Sequence, residues 1–392
     1  PIKKNGIYNI NLLAVIFLLA EYIKSVFFGG FPWLLIGNSQ NGTIFNFIYP
    51  VFGSYMVSYI VVLMSCIFYK SFHVKQKQYI LLSLILGLTY LSSYFQSNNK
   101  DVSHYDHISF TIYQPNIYPE KTYDADEYQN IVSQYIRFLN QKDPTDLTIL
   151  PETITPYVLN NNNKLLEKLM RMSNKSNIII AGLFTKSENN YFNSMVFFSD
   201  QINYYHKRKL VPFGEYTPWY DNFIKLSDLL NIPLSNLSHG PNPQKDIFFN
   251  NTKLLPLICF ESTFPNLILS SIKNETIINI SNDGWFGSDT AARLQHNREA
   301  RMRCIENQTP MVRAANTGIS SVISANGWIE YVGDEDLAKE IPTIFPTKVS
   351  KSRVFNKPLS TVIGDNVAWC SLFGSILLMV SSYLKRSSSD VE

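Results

Sequence analysis

The sequence predicts an α/β domain combined with transmembrane α-helices, on three observations. Only 17% of the 392 residues are charged, below the roughly 25% usual for a soluble domain. Three uncharged apolar runs, residues 51–69, 79–95 and 367–384, lie towards the two ends of the chain; at roughly 20 residues per crossing, each has the length of a membrane-spanning helix. Between them, from about His107 onward, short β-branched runs alternate with helical patterns, as in a layered α/β domain.

The totals also exclude several classes. An apolar share of 45% is too high for a disordered chain. A net charge of +3 gives a nucleic-acid partner no electrostatic support. Cys66, Cys259, Cys304 and Cys370 lie far apart, without CxxC or HExxH, so neither a disulfide framework nor a metal site is expected. No cofactor is expected either.

In chain order, the first apolar segment, residues 10–29, contains Glu21 and Lys24, which can pair across one helical face. It reads as a first span or as an interfacial or core helix. Lys3 and Lys4 precede it, Lys70, Lys75 and Lys77 fill the loop after the second segment, and Lys385 and Arg386 follow the last. Residues 30–50 carry no Lys, Arg, Asp or Glu. Four crossings then put every basic loop on one side, the cytoplasmic one, and residues 96–365 outside. The expected organisation is a membrane domain over 1–96 with three helices, a catalytic domain over 107–350, and a C-terminal transmembrane helix over 366–385. Strands are expected at 108–113, 147–150, 177–181, 195–199, 254–260, 276–280 and 319–324. Helices are expected at 126–141, 163–173, 263–273 and 291–306.

Three segments offer chemistry. Cys259 follows an apolar run and precedes Ser262, Thr263 and Pro265, which resemble a helix start. A thiol there would project from a sheet, a helix N-terminus would lower its pKa, and the Phe260 N–H would face the same space. A buried structural cysteine is the alternative. Glu152, in LPET, is placed for general-base work or simply starts a helix. Lys207, in HKRKLVPFGEYTP at 206–218, belongs to a solvated basic run or to a shaped loop. Glu215 is near enough in sequence to fold back on a lysine.

Taken together, LPET, HKRKLVPFGEYTP and ICFES resemble the Glu, Lys, Cys order of the carbon–nitrogen hydrolase (nitrilase) superfamily. SNDGWFG at 281–287, QHNREARMR at 295–303 and GGFPWLLIGNSQ at 29–40 narrow the resemblance to its membrane-embedded apolipoprotein N-acyltransferase family. That resemblance implies a four-layer αββα sandwich. It implies Glu152 as general base, Lys207 as oxyanion-stabilising lysine and Cys259 as nucleophile, with Glu215 and Glu261 supporting them. It also places Asn193 in the pocket, where the residue alone reads as a turn before a strand. The implied reaction takes an acyl chain from a phospholipid, through a thioester, to the α-amine of an S-diacylglyceryl cysteine on a bacterial lipoprotein. The implied location is the inner membrane, with the catalytic domain on the periplasmic side. Family members usually have eight membrane helices, so the first ones are expected to be missing here. Phe260 stands where Tyr is common, and Tyr123 where Trp is. The alternatives are a membrane-anchored amidase or nitrilase acting on a small amide, and a non-catalytic nitrilase-like receptor.

Overall fold

The computed structural model describes residues 6–74, 107–122, 124, 126–142, 145–158, 164–217, 236–265, 267–268, 275–287, 290–332 and 343–350. Its strands are β1 (His107–Gln114), β2 (Leu147–Ile149), β3 (Ile178–Ser187), β4 (Asn190–Phe198), β5 (Asn203–His206), β6 (Ile247–Phe249), β7 (Thr252–Ile258), β8 (Glu275–Ser281), β9 (Met311–Ala315), β10 (Ser321–Ile323), β11 (Ile329–Val332) and β12 (Thr343–Ser350). The helices are α1 (Gly6–Val26), α2 (Tyr49–Val74), α3 (Pro119–Thr122), α4 (Tyr128–Gln141), α5 (Lys164–Met172) and α6 (Thr290–Asn307).

The strands form two six-stranded mixed sheets, ordered β12-β1-β2-β3-β4-β5 and β11-β10-β9-β8-β7-β6. Each has three parallel strands at its centre, β1-β2-β3 in one and β7-β8-β9 in the other, flanked by antiparallel strands. Centre strands are covered on both faces, so they carry short apolar runs such as Ile178–Ile180 in place of strict alternation. Every residue of β8 is buried, and so is every residue of β2.

One core lies between the sheets. Phe110, Ile112, Ile149, Ile180 and Phe197 of the first pack with Leu254, Ile258, Ile280 and Val312 of the second. The outer face of the first sheet is covered by α4 and α5. α4 buries Ile131, Val132, Tyr135, Phe138 and Leu139 at helical spacing against Ile179, Ala181 and Phe198. On the outer face of the second sheet, Ala300 and Cys304 of α6 meet Leu257, Ile277 and Met311.

α1 and α2 pack on each other through Leu18 and Tyr55. Among the described residues, one helix, Tyr49–Lys70, is long and apolar enough to cross a membrane. The expected spans at 79–95 and 367–384 lie outside the described residues. Glu21 and Lys24 do not pair with each other. Glu21 Oε1 accepts from the Ile36 N–H at 2.7 Å, and Lys24 Nζ donates to the Trp33 carbonyl at 2.8 Å. Both are drawn to the backbone groups of the loop joining the two helices. α2 contains Gly53 at φ 71°, outside helical space, a conformation that glycine adopts at little cost. The Ser54 N–H, freed there, donates to Glu306 Oε1 of α6 at 3.0 Å. Phe45, Tyr49 and Val57 pack on Met302 and Ile305 of the same helix.

The expected strands and helices correspond to observed ones at their centres, with one exception. For the helix expected at 263–273, the chain instead makes a 3-10 turn, Cys259–Thr263, and leaves helical geometry at Phe264. Residues 269–274 lie outside the described residues.

Candidate active site

Loops leaving the carboxyl ends of central parallel strands are where α/β proteins place ligands. Glu152 follows β2, and Cys259 directly follows β7. β2 is the middle of the three parallel strands in its sheet and β7 the outer of the three in the other, and the inter-sheet core, which packs Ile149 of β2 with Leu254 and Ile258 of β7, brings their loops together. Lys207 directly follows β5, and its N–H donates to the Asn193 carbonyl of β4 at 2.8 Å.

These residues meet. Lys207 Nζ lies 3.2 Å from Glu152 Oε1 and 2.9 Å from Glu215 Oε1. Asn193 Nδ2 donates to the same two carboxylates, at 2.7 and 2.8 Å. The Asn282 N–H, just past β8, donates to Glu152 Oε2 at 2.9 Å. Lys207 is only 1% exposed and Glu152 4%, so Lys207 is not part of a solvated basic run. Burial opposes the charge on Lys207, but the carboxylates of Glu152 and Glu215 outweigh it and raise the ammonium pKa. Residues 151–158 contain no helix, so Glu152 does not start one. Asn193 sits within β4, paired with Phe184, and not in a turn.

Cys259 has φ 50°, in the left-handed region, a rare conformation for a residue with a side chain. Its carbonyl accepts from Ser262 Oγ at 2.9 Å and lies 3.1 Å from His296 Nε2. The thiol pKa is not lowered as expected. Burial pushes it up to about 12, Glu152 adds to the rise, and Lys207 opposes it. One 3-10 turn supplies too little dipole to offset that burial.

Glu261 is fully buried and accepts from the N–H groups of Ile258, Arg208 and Lys209 at 2.8, 2.7 and 3.1 Å. Both its oxygens lie 3.0 Å from the Tyr205 hydroxyl. It therefore staples the turn carrying Cys259 to the segment carrying Lys207. Burial nonetheless raises its pKa. Glu215 Oε2 accepts from the Val211 N–H at 2.9 Å, closing the lysine loop on itself.

A second buried network was not anticipated. His296 Nδ1 lies 2.8 Å from Asp283 Oδ1, and Arg313 Nη2 lies 2.9 Å from Asp283 Oδ2. Although burial opposes the charge, Arg313 and His296 hold the Asp283 carboxyl well below the usual carboxylate range. The signal in the sequence is the pair of motifs themselves, Asp283 within SNDGWFG and His296 within QHNREARMR. Cys259, Asp283 and His296 offer ligand atoms within 4.8 Å of one another. Both His296 nitrogens and both Asp283 oxygens are already engaged, and a buried guanidinium touches the carboxylate. That donor set does not suit a divalent cation.

The wall over the site comes from the loop between α1 and α2. Phe31 packs 5.5 Å from Phe260, and Trp33 packs 5.3 Å from His296 and 5.7 Å from Phe286, ring centre to ring centre.

Two facing mixed sheets with a carboxylate, an ammonium and a thiol at their strand ends define a protein of the carbon–nitrogen hydrolase class. The carbon–nitrogen hydrolase model matches residues 110–335, and that of the apolipoprotein N-acyltransferase N-terminal domain matches residues 2–67. The chain belongs to the apolipoprotein N-acyltransferase family. It is 30% identical over 401 residues to the apolipoprotein N-acyltransferase of Haemophilus ducreyi, covering 98% of this chain and 77% of that one. The Haemophilus influenzae enzyme is 30% identical, with 81% of this chain and 64% of that one covered. The Rickettsia prowazekii enzyme is 31% identical, covering 90% and 73% respectively.

Proposed function

We propose that this chain transfers an acyl chain from a phospholipid to the α-amine of an S-diacylglyceryl cysteine at a lipoprotein N-terminus. The observation that carries this reading is the buried Glu152–Lys207 pair beside a thiol held in left-handed backbone geometry. With its pKa pushed up, the thiol keeps its proton until substrate arrives. Glu152 then takes that proton as sulfur attacks the ester carbonyl. The Lys207 ammonium and the Phe260 N–H hold the developing oxyanion. As the tetrahedral intermediate collapses, the lysophospholipid oxygen leaves with the proton from Glu152, and a thioester remains on Cys259.

The amine then attacks that thioester, loses a proton to Glu152, and passes through a second oxyanion at the same donors. Collapse to the amide expels the thiolate, which recovers its proton from Glu152. Phe31 and Trp33 keep water from the thioester, so an amine is acylated in preference to hydrolysis. Asn193 and Glu215 hold Glu152 and Lys207 in register, and Glu261 holds the Cys259 turn against the lysine loop.

Each acyl CH₂ removed from the bilayer costs about 0.8 kcal/mol, so the reaction has to occur at the membrane surface. A membrane domain over 1–96, a catalytic domain over 107–350 and a helix over 366–385, with the catalytic part on the periplasmic face of the inner membrane, fit that need. Mass spectrometry of the full chain after incubation with phospholipid tests the reading. A single acyl group on Cys259, passed to a diacylated cysteinyl peptide, is expected. Release of free fatty acid or ammonia from small amides, with no acyl adduct, would indicate a hydrolase instead.

A further inference from the structure

A cavity of about 740 Å³ is lined by α1, residues 34–41 of the following loop and α6, and Cys259 is not among its lining residues. Its walls are apolar at Phe17, Leu34 and Leu35, and cationic at Lys24, Arg298 and Arg301. Arg298 has no hydrogen bond or ion pair with any described residue. Two lining side chains more than nine-tenths buried carry unpartnered acceptors. Glu21, 6% exposed, uses Oε1 on the Ile36 N–H and leaves Oε2 without a donor. Asn38, 4% exposed, spends Nδ2 on Glu299 at 2.6 Å and leaves Oδ1 without one.

Leaving a buried acceptor unmet is costly, so two on residues lining one cavity call for a donor from outside the chain. Surplus guanidinium charge in the same cavity calls for an anion. A ligand that meets both demands carries a phosphate beside an N–H or O–H donor. The apolar lining continues onto exposed α1 side chains, Leu13 and Ile16 at 57% and 56% exposed, which suits an attached acyl chain.

We propose that this cavity is a second lipid site, separate from the thiol, which binds a phospholipid headgroup bearing a hydrogen-bond donor. Its phosphate lies towards Arg298, Arg301 and Lys24, and its donor group towards Glu21 and Asn38. The occupant braces the loop that also presents Phe31 and Trp33 to the active site. This rests on the membrane setting proposed above, not on acyl transfer.

The test uses the full chain carrying Cys259→Ser, so that no acyl-enzyme forms, in nanodiscs containing a phosphatidylethanolamine with a photoreactive headgroup. Crosslinks are expected on peptides carrying residues 34–41 and 295–301. Unlabelled phosphatidylethanolamine and phosphatidylglycerol should displace the probe. Phosphatidylcholine, whose headgroup has no N–H or O–H, should do so poorly. Arg298→Gln, at an exposed side chain without a partner among the described residues, should cut labelling about tenfold, the loss of one charge-assisted contact. Glu21→Gln keeps an acceptor for the Ile36 N–H and should erase the preference over phosphatidylcholine. Labelling confined to residues 259–264 overturns the proposal, and so does labelling indifferent to both substitutions. Displacement by millimolar inorganic phosphate as effective as by lipid would make this a free-anion site and overturn the lipid assignment.

Discussion

Nζ of Lys207 lies 3.2 Å from Oε1 of Glu152, with the two side chains 1% and 6% exposed. A buried ion pair of this kind adds little net stability, yet removing one partner strands the other's charge. In the proposed mechanism its value is chemical, because it sets a proton acceptor and an oxyanion donor side by side.

Lys207→Ala is accordingly expected to slow acylation of Cys259 by roughly a hundredfold or more. It should also lower stability by about 3–5 kcal/mol, because Glu152 and Glu215 would then face each other unneutralised. Arg208→Ala should spare the acylation rate far better, since its side chain reaches the Tyr205 hydroxyl and the Leu267 carbonyl instead. Single-turnover mass spectrometry and thermal melts separate the two effects. Equal losses of acylation for both variants would contradict the assigned role.

The thiol of Cys259 should behave as a weak acid in the absence of substrate. Its alkylation rate, followed peptide by peptide, should still be climbing above pH 9, where an ordinary thiol of pKa about 8.5 has begun to level off. Glu152→Gln removes a charge that raises this pKa while Lys207 remains, so the levelling should move to lower pH. Cys304, fully buried and with its thiol pKa pushed up by that burial, should stay unlabelled while the protein is folded.

Glu299 provides a pH signature for stability. Burial raises its pKa to about 7, against partial relief from Arg303. Folding therefore favours its protonated form, and its contribution is most favourable at low pH. That contribution falls as pH rises from the unfolded value near 4.5 through the folded value near 7. Thermal melts of Glu299→Gln against the parent should show the variant gaining relative stability across that window. A difference that is flat with pH would show that Glu299 titrates normally.

Sidedness can be read directly. Protease added outside spheroplasts is expected to cut the polar stretch at 160–163, which lies outside the described residues, and to spare the basic stretch at 71–78. Cutting of 160–163 only after lysis would reverse the proposed topology.

Local pattern carried a good part of this into view. Strand centres such as Ile178–Ile180 and the Ile277, Ile278 pair announce themselves as apolar stretches because parallel strands are covered on both faces. Glu152 and Cys259 could be noticed at strand ends, but their roles needed the ordered motifs of the resemblance. β9 was hidden, because Arg313 interrupts its apolar pattern. That guanidinium is acceptable inside only because Asp283 and Asn279, far away in sequence, meet it. The raised thiol pKa lies beyond local sequence for a related reason. The turn after β7 is visible locally, but the burial imposed by the opposite sheet and by Glu152 is not.

The loop bearing Phe31 and Trp33 has an evolutionary consequence. Nitrilase-like enzymes are easily pictured as portable catalytic cassettes to which an anchor can be fused. Here the aromatic residues that wall the site come from one segment, between α1 and α2, and those they pack on, Phe260, Phe286 and His296, from another, more than 200 positions later. A chain starting at His107 would keep Glu152, Lys207 and Cys259 but lose the lid of its own reaction chamber. Anchor and enzyme cannot be exchanged independently in such a chain, and a substitution in either has to be compatible with the other.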